Sequence, residues 1–375
     1  MEGPRGLRKE ELESLGELTG GVFRPHMLEQ FAHLFDGENF ENLRVCVDNR
    51  RCVSHVGMIQ QEASLFGCRI KTCCIGGVST HPDYRKQGLA SACFDDAVAK
   101  AYGDSVDVMI VSGDRNLYRM RGCVHVGSDL AYTVEREMLA KCNPNGVSNL
   151  SVTKMTNAEL PWVQDCYRRE PVRFVRSPDL YRLIVSCGWV MNRPSDFLVI
   201  REGGDFRGYI ILQQPSFQGR ARFAEFAGDR KALFHALPTI FHRYGLTSLG
   251  FQVMGHDTQL RSLCQQAGWQ GTPCTTPGTV KLINFPQLIA RIRPLFEERV
   301  GRKAAAQLTC LQEEDKYAFT FGNQTWETDR DTTTRLLFGT LEGFPPAIQE
   351  VTGALGEVLR TVFPLPTLWY GMNYV

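Results

Sequence analysis

Residues 75–90 read IGGVSTHPDYRKQGLA. An extended run ends at Thr80, and Pro82 has no N–H to continue a ladder. From Gln87 to Tyr102 the apolar residues return at helical spacing, with one stripe at Leu89, Cys93, Ala97 and Ala101 and another at Ala90, Phe94 and Val98. Gly103 ends that helix. A helix opening so soon after a strand leaves successive backbone N–H groups unpaired and aimed at one point. The positive end of the helix dipole lies there too, Arg85 and Lys86 stand beside it, and Gly88 has no Cβ to obstruct an approaching oxygen. Such a turn suits a pyrophosphate. The bland reading of the same residues is an ordinary strand-to-helix turn with two solvated cations.

Upstream, Leu12 to Phe35 has a helical pattern, and three extended stretches follow at Leu43–Val47, Cys52–Gln60 and Ile70–Thr80. Turn formers at Asp48-Asn49-Arg50 and at Gly67 separate them. Downstream come a continuous apolar strand, Val106–Val111, a short helix from Asn116 to Arg121, and a strand pair within Val124–Val134. Cys142–Asn149 (CNPNGVSN) reads as a linker. The layout then recurs with helices at Ala158–Arg169 and Lys231–Tyr244 and strands at Phe197–Arg201, Gly208–Gln213, Arg222–Phe226 and Ser248–Val253. Met120-Arg121-Gly122-Cys123 and Gln266-Ala267-Gly268-Trp269 end the two halves alike, as in an internal duplication. From Phe285 onward, a helix at Leu288–Val300, a strand at Tyr317–Phe321 and helices at Asp331–Gly339 and Pro346–Arg360 make a small α+β domain. The predicted class is α/β with mixed sheets, in domains 1–141, 142–284 and 285–375.

Composition narrows the function. The chain has 375 residues, 42 Lys+Arg against 41 Asp+Glu, and a net charge of +1, which argues against nucleic acid as a partner. No apolar run approaches the roughly 18 to 20 residues that span a bilayer, and Met1–Glu10 lacks a signal peptide's apolar core, so a cytoplasmic protein without membrane attachment is expected. The 13 cysteines are odd in number, sit in apolar runs such as Val45-Cys46-Val47, and include no C-x-x-C pair. They read as reduced, buried thiols, and no metal is expected. Cys123 reads as packing.

The pattern Arg85-x-x-Gly88-x-Ala90 after a strand ending in Val78-x-Thr80 resembles the acetyl-CoA signature of the GNAT superfamily of N-acetyltransferases, and the element order of the first segment resembles that family's too. The resemblance implies acetyl-CoA as cosubstrate, held by Thr80 and by Arg85, Lys86, Gln87, Gly88, Leu89 and Ala90. It implies that the strand containing Gly76 and Gly77 splays from the next one, with Asp107–Ser112 as the opposite wall. Val78 would then offer its N–H to the thioester carbonyl. It also implies that Tyr118 faces the sulfur as general acid, a phenol of pKa near roughly 10 being a fair match to a thiol. A core tyrosine is the competing reading of Tyr118, and simple packing relief that of the two glycines.

The uncharged tail Thr361–Val375 (TVFPLPTLWYGMNYV) would be adhesive if free, so it is expected to pack on the body. The whole chain is similar to the Eis (enhanced intracellular survival) acetyltransferases. That likeness implies one active GNAT domain, a second degenerate one, and a C-terminal domain of sterol-carrier-protein fold. It also implies that the Val375 carboxylate accepts the proton of the substrate amine, although an unperturbed α-carboxyl near roughly 3.5 is a weak base. The turn Ala227-Gly228-Asp229-Arg230-Lys231 lacks the R-x-x-G-x-A spacing and places an acid where phosphate would lie, so no CoA is expected there.

For the acceptor, Phe31, Phe35 and Phe40 interleave with Asp36, Glu38 and Glu41, an aromatic and acidic rim that suits a small cationic amine, aminoglycoside-like or polyamine-like; a solvated helix end reads equally well. His33, His81 and His125 are further candidate bases, each otherwise structural or solvated. The expected function is direct acetyl transfer in a ternary complex. Its rivals are a carrier protein with a vestigial acetyltransferase domain and a protein lysine acetyltransferase. The resemblance allows assemblies from a monomer to a hexamer, a homo-oligomer among them.

Overall fold

The computed structural model describes residues 1–142 and 149–375, so most of the expected linker lies outside the described residues. The chain forms two compact units, one of residues 1–127, 276–365 and 375, the other of residues 128–275 and 366–374. The sequence reading draws its borders at 141/142 and 284/285 instead. The two divisions differ because a strand at each border belongs to the sheet of the other half.

In the first unit, β1 (Glu2–Gly6), β2 (Leu43–Asp48), β3 (Arg51–Leu65), β4 (Cys68–Thr80), β5 (Val108–Val111) and the strand Thr279–Leu282 lie side by side in that order. All neighbours are antiparallel except β4 and β5. Asn49 and Arg50 both have positive φ (48° and 66°), as do Phe66 and Gly67 (48° and 89°), so both hairpins close on two left-handed residues, a geometry matched to strand twist. The helix expected over Leu12–Phe35 is two helices, α1 (Leu12–Val22) and α2 (Met27–Gln30). Pro25 disfavours helical geometry at the residue before it, and His26 is left-handed. Helix α3 (Leu89–Gly103) lays Cys93, Phe94, Ala97 and Ala101 on a cluster with Val53, Val56, Ile75 and Val111. Burying Phe94 alone contributes about 2 kcal/mol. The short α4 (Asn116–Arg119) follows β5. A kinked helix, Phe285–Gln307, also belongs to this unit, its Arg291 bonding the buried Asp107 at 2.6 Å. Around it are the three-stranded sheet Thr309–Glu313, Lys316–Phe321 and Gln324–Thr328 and the helices Arg330–Phe338 and Gly353–Val362.

The second unit repeats the plan. Its sheet runs Thr272–Cys274, Asp129–Glu135, Ser248–Val253, Arg220–Gly228, Asp205–Gln213, Arg193–Glu202, Leu150–Lys154, and its parallel pairing joins Arg220–Arg222 to Ser248–Gly250. Asp129–Glu135, which overlaps the strand pair expected within Val124–Val134 of the first segment, pairs here with Ser248–Val253, while Thr279–Leu282 takes the place beside β5. Alternating hydrophobicity marks a strand without naming its partner, so the exchange is invisible locally. The helix expected over Lys231–Tyr244 divides into Arg230–His235 and Leu237–Tyr244, with Pro238 in the first turn of the second. A helix at Pro178–Cys187, absent from the sequence reading, is capped by Ser177, whose hydroxyl accepts from Leu180 N–H at 3.1 Å. Among the described residues no helix is long and apolar enough to cross a membrane. All thirteen cysteines are unbonded, and ten are buried.

Candidate active site

Pairing between β4 and β5 ends at Ile75 with Val111, and the last bond between these strands runs from Ser112 N–H to the Ile75 carbonyl at 3.2 Å. Beyond it β4 continues to Thr80, whereas β5 has ended as a strand at Val111; this is the region where the resemblance expects the two strands to splay. On its other edge, His55 faces Ser79 and Gly57 faces Gly76, so the segment between them carries one more residue on β4 than on β3. Gly77 is left-handed there (φ 61°), and the extra residue makes a bulge that turns the Gly77–Val78 peptide out of the ladder.

The end of the chain lies on this bulge. A Cβ at Gly76 would come within 2.0 Å of the carbonyl carbon and 2.2 Å of the oxygen of Val375, and one at Gly57 within 2.8 Å of the Gly76 carbonyl oxygen. Both glycines are therefore required by close approach. Val375 is itself buried.

Past Thr80 the chain makes a short turn at Pro82–Tyr84 and enters α3. Arg85, Lys86, Gln87 and Gly88 are exposed and Leu89 and Ala90 half-buried. Lys86 and Gly88 are left-handed (φ 62° and 79°), bracketing Gln87, and a Cβ built on Gly88 meets nothing within 4 Å. Among the described residues no side chain caps the helix. Its first amides and the Arg85 guanidinium, whose Nε donates only weakly to the Thr80 carbonyl at 3.4 Å, form an open anion cradle. The Thr80 hydroxyl is turned inward, 2.9 Å from that of Ser54, so Thr80 offers a ligand only its backbone.

Tyr118 is buried on α4. Its ring lies 5.5 Å from that of Phe94 and edges against Gly113. It belongs to the apolar cluster that holds Val78 of β4 and Val111 of β5. Cys123 in the same cluster has its thiol pushed up to about 12 by burial, the state of a packing residue. Of the acceptor candidates, Phe35 is buried with its ring 5.9 Å from that of His55. Phe31 is buried against His33 (6.4 Å) with Arg24 over its face, and Phe40 is half-buried. Asp36 and Glu38 are exposed, the Asp36 carboxylate accepting from Glu38 N–H at 2.9 Å. His125 pairs with Asp114 at 3.0 Å, and His81 Nδ1 accepts from Asp83 N–H. His55, which the sequence reading passed over, is the histidine at the bulge. Its Nδ1 is 2.9 Å from the Gly77 carbonyl. The spacing of His55 from Gly76 and Gly77 across a hairpin was the signal available.

The second unit shows how such a site is closed. At the turn equivalent to Arg85–Ala90, Asp229 accepts from Lys231 N–H and Ala232 N–H, occupying the helix start with its own carboxylate. Arg230 is held by Glu170 (2.6 Å) and Asp257 (2.7 Å), so its charge is already matched. A cavity of about 630 Å³ remains beside these residues, lined also by Trp162 and His256. Beyond the end of the parallel pairing, Trp369 Nε1–H donates to the Ala224 carbonyl at 2.5 Å and Met372 N–H to Glu225 at 3.0 Å. Glu225 is buried with Arg176 (2.5 Å), which also donates to Asn373 at 2.6 Å. Residues Pro366–Tyr374 thus fill the strand divergence of the second unit, as the packed tail predicted.

Residues 4–126 match the acetyltransferase (GNAT) domain. With the fold, that match makes the chain an acyltransferase enzyme. A comparison with the curated proteins gives no match. Among solved structures the chain is similar to a probable N-acyltransferase from Enterococcus faecalis V583 (14% identity, TM-score 0.70, 99% of this chain and 98% of that one). It is also similar to a GCN5-related N-acetyltransferase from Anabaena variabilis (14%, 0.68, 97% and 98%) and to Eis1 from Mycobacterium abscessus (11%, 0.65, 99% and 99%). The tandem GNAT-like architecture expected from the sequence agrees with these folds. Among the described residues no group of His, Cys, Asp and Glu could hold a metal ion.

Proposed function

We propose that the chain transfers acetyl from acetyl-CoA to a primary amine of a small cationic molecule, aminoglycoside-like or polyamine-like, by direct attack in a ternary complex. The amides of Arg85–Ala90 and the Arg85 and Lys86 cations take the pyrophosphate. Val78 N–H faces the thioester carbonyl and stabilises the charge that develops on its oxygen. As the amine nitrogen bonds to the carbonyl carbon, its proton passes to the Val375 carboxylate. As the C–S bond breaks, Tyr118 protonates the sulfur. The products are an amide and free CoA, and the Tyr118 proton is replaced from the Val375 acid or solvent. The exposed Asp36 and Glu38 beside buried Phe35 favour a cationic acceptor. Thirteen unbonded thiols favour a reducing, cytoplasmic setting. By the likeness to Eis proteins, residues 285–375 are read as a sterol-carrier-like domain.

One observation carries this reading: the carboxyl end of Val375 rests on Gly76, next to Ile75, where β4–β5 pairing ends. Adding three residues after Val375 removes the carboxylate from that point. Turnover should fall at least about 100-fold while the acetyl-CoA dissociation constant stays within about threefold. Unchanged turnover would reject the tail as base, and absence of heat with acetyl-CoA would leave the carrier reading standing.

A further inference from the structure

The bulge leaves one peptide without a place in the sheet. Gly77 and Val78 have no register partner on β3, and β5 pairing has already ended at Ile75. With a left-handed glycine on one side, this peptide would rotate freely unless something outside the ladder held it. His55 supplies the hold. A carbonyl oxygen only accepts, so the contact between His55 Nδ1 and the Gly77 oxygen (2.9 Å) requires the proton on Nδ1. The Gly77–Val78 bond is trans, since the cis peptides among the described residues are Gly3-Pro4 and Phe363-Pro364. In a trans peptide the C=O and the following N–H point in opposite directions. Fixing the Gly77 oxygen therefore fixes the direction of Val78 N–H.

The ring is built into its place. It is fully buried, and its Cε1 lies where side chains at Gly57 and Gly77 would approach to 3.1 and 3.4 Å. Its Nε2 is buried and has no hydrogen-bond partner among the described residues. An unsatisfied buried acceptor costs about 1–3 kcal/mol, a penalty consistent with a ring kept for what its other nitrogen does. Burial pushes its pKa down to about 4 against the opposing bond to Gly77, so the ring is neutral.

We infer that His55 is a positioning residue for acyl transfer, orienting and polarising the Gly77–Val78 amide so that Val78 N–H meets the thioester oxygen. This rests on the reading of Val78 given above. A competing role for His55, as the base that deprotonates the amine through Nε2, requires an accessible nitrogen, and this one is enclosed.

Two variants separate the roles. Asn places an amide N–H near the position of Nδ1, whereas Leu removes the donor and keeps the bulk. With kanamycin and spermine as acceptors, H55L should lower kcat about 100-fold while KM for the amine and calorimetric affinity for acetyl-CoA stay within about threefold. H55N should recover activity to within about fivefold of the native chain. Should H55L fail to fold, H55Q takes its place, its amide nitrogen reaching past the Nδ1 position. Native kcat in H55L or H55Q overturns the inference. So does an H55N variant as inactive as H55L, because a base and not a donor would then have been lost. A native chain that binds no acetyl-CoA overturns the parent reading itself, and this inference with it.

Discussion

A methyl carbon at position 76 would lie 2.0 Å from the terminal carbon of Val375 and 2.2 Å from its oxygen, so the chain end or the strand must shift. Gly76→Ala is therefore expected to displace the carboxylate and lower kcat about 100-fold, with acetyl-CoA affinity nearly native by calorimetry. An affinity loss equal to the kcat loss would show instead that the strand had collapsed. His55 gives a second prediction at this scale. In the unfolded chain it takes a proton below about 6.5, whereas the folded chain refuses one until about 4. The unfolded state thus binds more protons between these values, so stability is complete above 6.5 and falls as the pH drops towards 4. The loss at pH 4 is about 3 kcal/mol at most. Urea midpoints of the native chain and H55N, compared at pH 7 and pH 4.5, should converge at the lower pH. A constant gap would assign the acid sensitivity to other groups.

Two helix starts with the same ancestry of pattern behave oppositely. Helix α3 begins without a side-chain cap beside exposed Arg85, whereas its counterpart begins on Asp229 with Arg230 matched by two carboxylates. Arg85→Ala should weaken acetyl-CoA binding roughly 10- to 100-fold, as expected for one charge-assisted contact. The loss should shrink at high salt. Arg230→Ala should leave acetyl-CoA binding unchanged and lower stability instead. Equal effects of the two substitutions on affinity would move the cofactor to the second unit. Much of this element was legible beforehand, since the strand, the turn, the glycine and the helix all follow from local pattern. The break in the first helix at Pro25 and the cap at Ser177 were legible too, although periodicity alone passed over them.

At the scale of the whole chain, the buried Arg176–Glu225 pair holds Met372 and Asn373 in the second unit, three and two residues before the carboxylate proposed as base. Arg176→Met leaves Glu225 without its cation in a buried site and should cost about 3–5 kcal/mol, measured by urea unfolding. Replacing both, as R176M with E225L, should restore most of that stability but not turnover, because the tail has lost its partners. Recovery of both together would show that the anchor is dispensable. The pair was not legible in advance: its members stand 49 residues apart, and neither belongs to a motif.

The amino-acid sequence by itself determined most of the strands and helices and the uncapped, cation-flanked helix start at Arg85–Ala90, because periodicity, proline, glycine and charge act over a few neighbouring residues. Only the tertiary structure decided which sheet receives Asp129–Glu135 and Thr279–Leu282, that Val375 rests on Gly76, and that His55 grips the Gly77 carbonyl. Those outcomes depend on pairing and close approach between distant segments, and a strand pattern or a lone histidine carries no record of its partner.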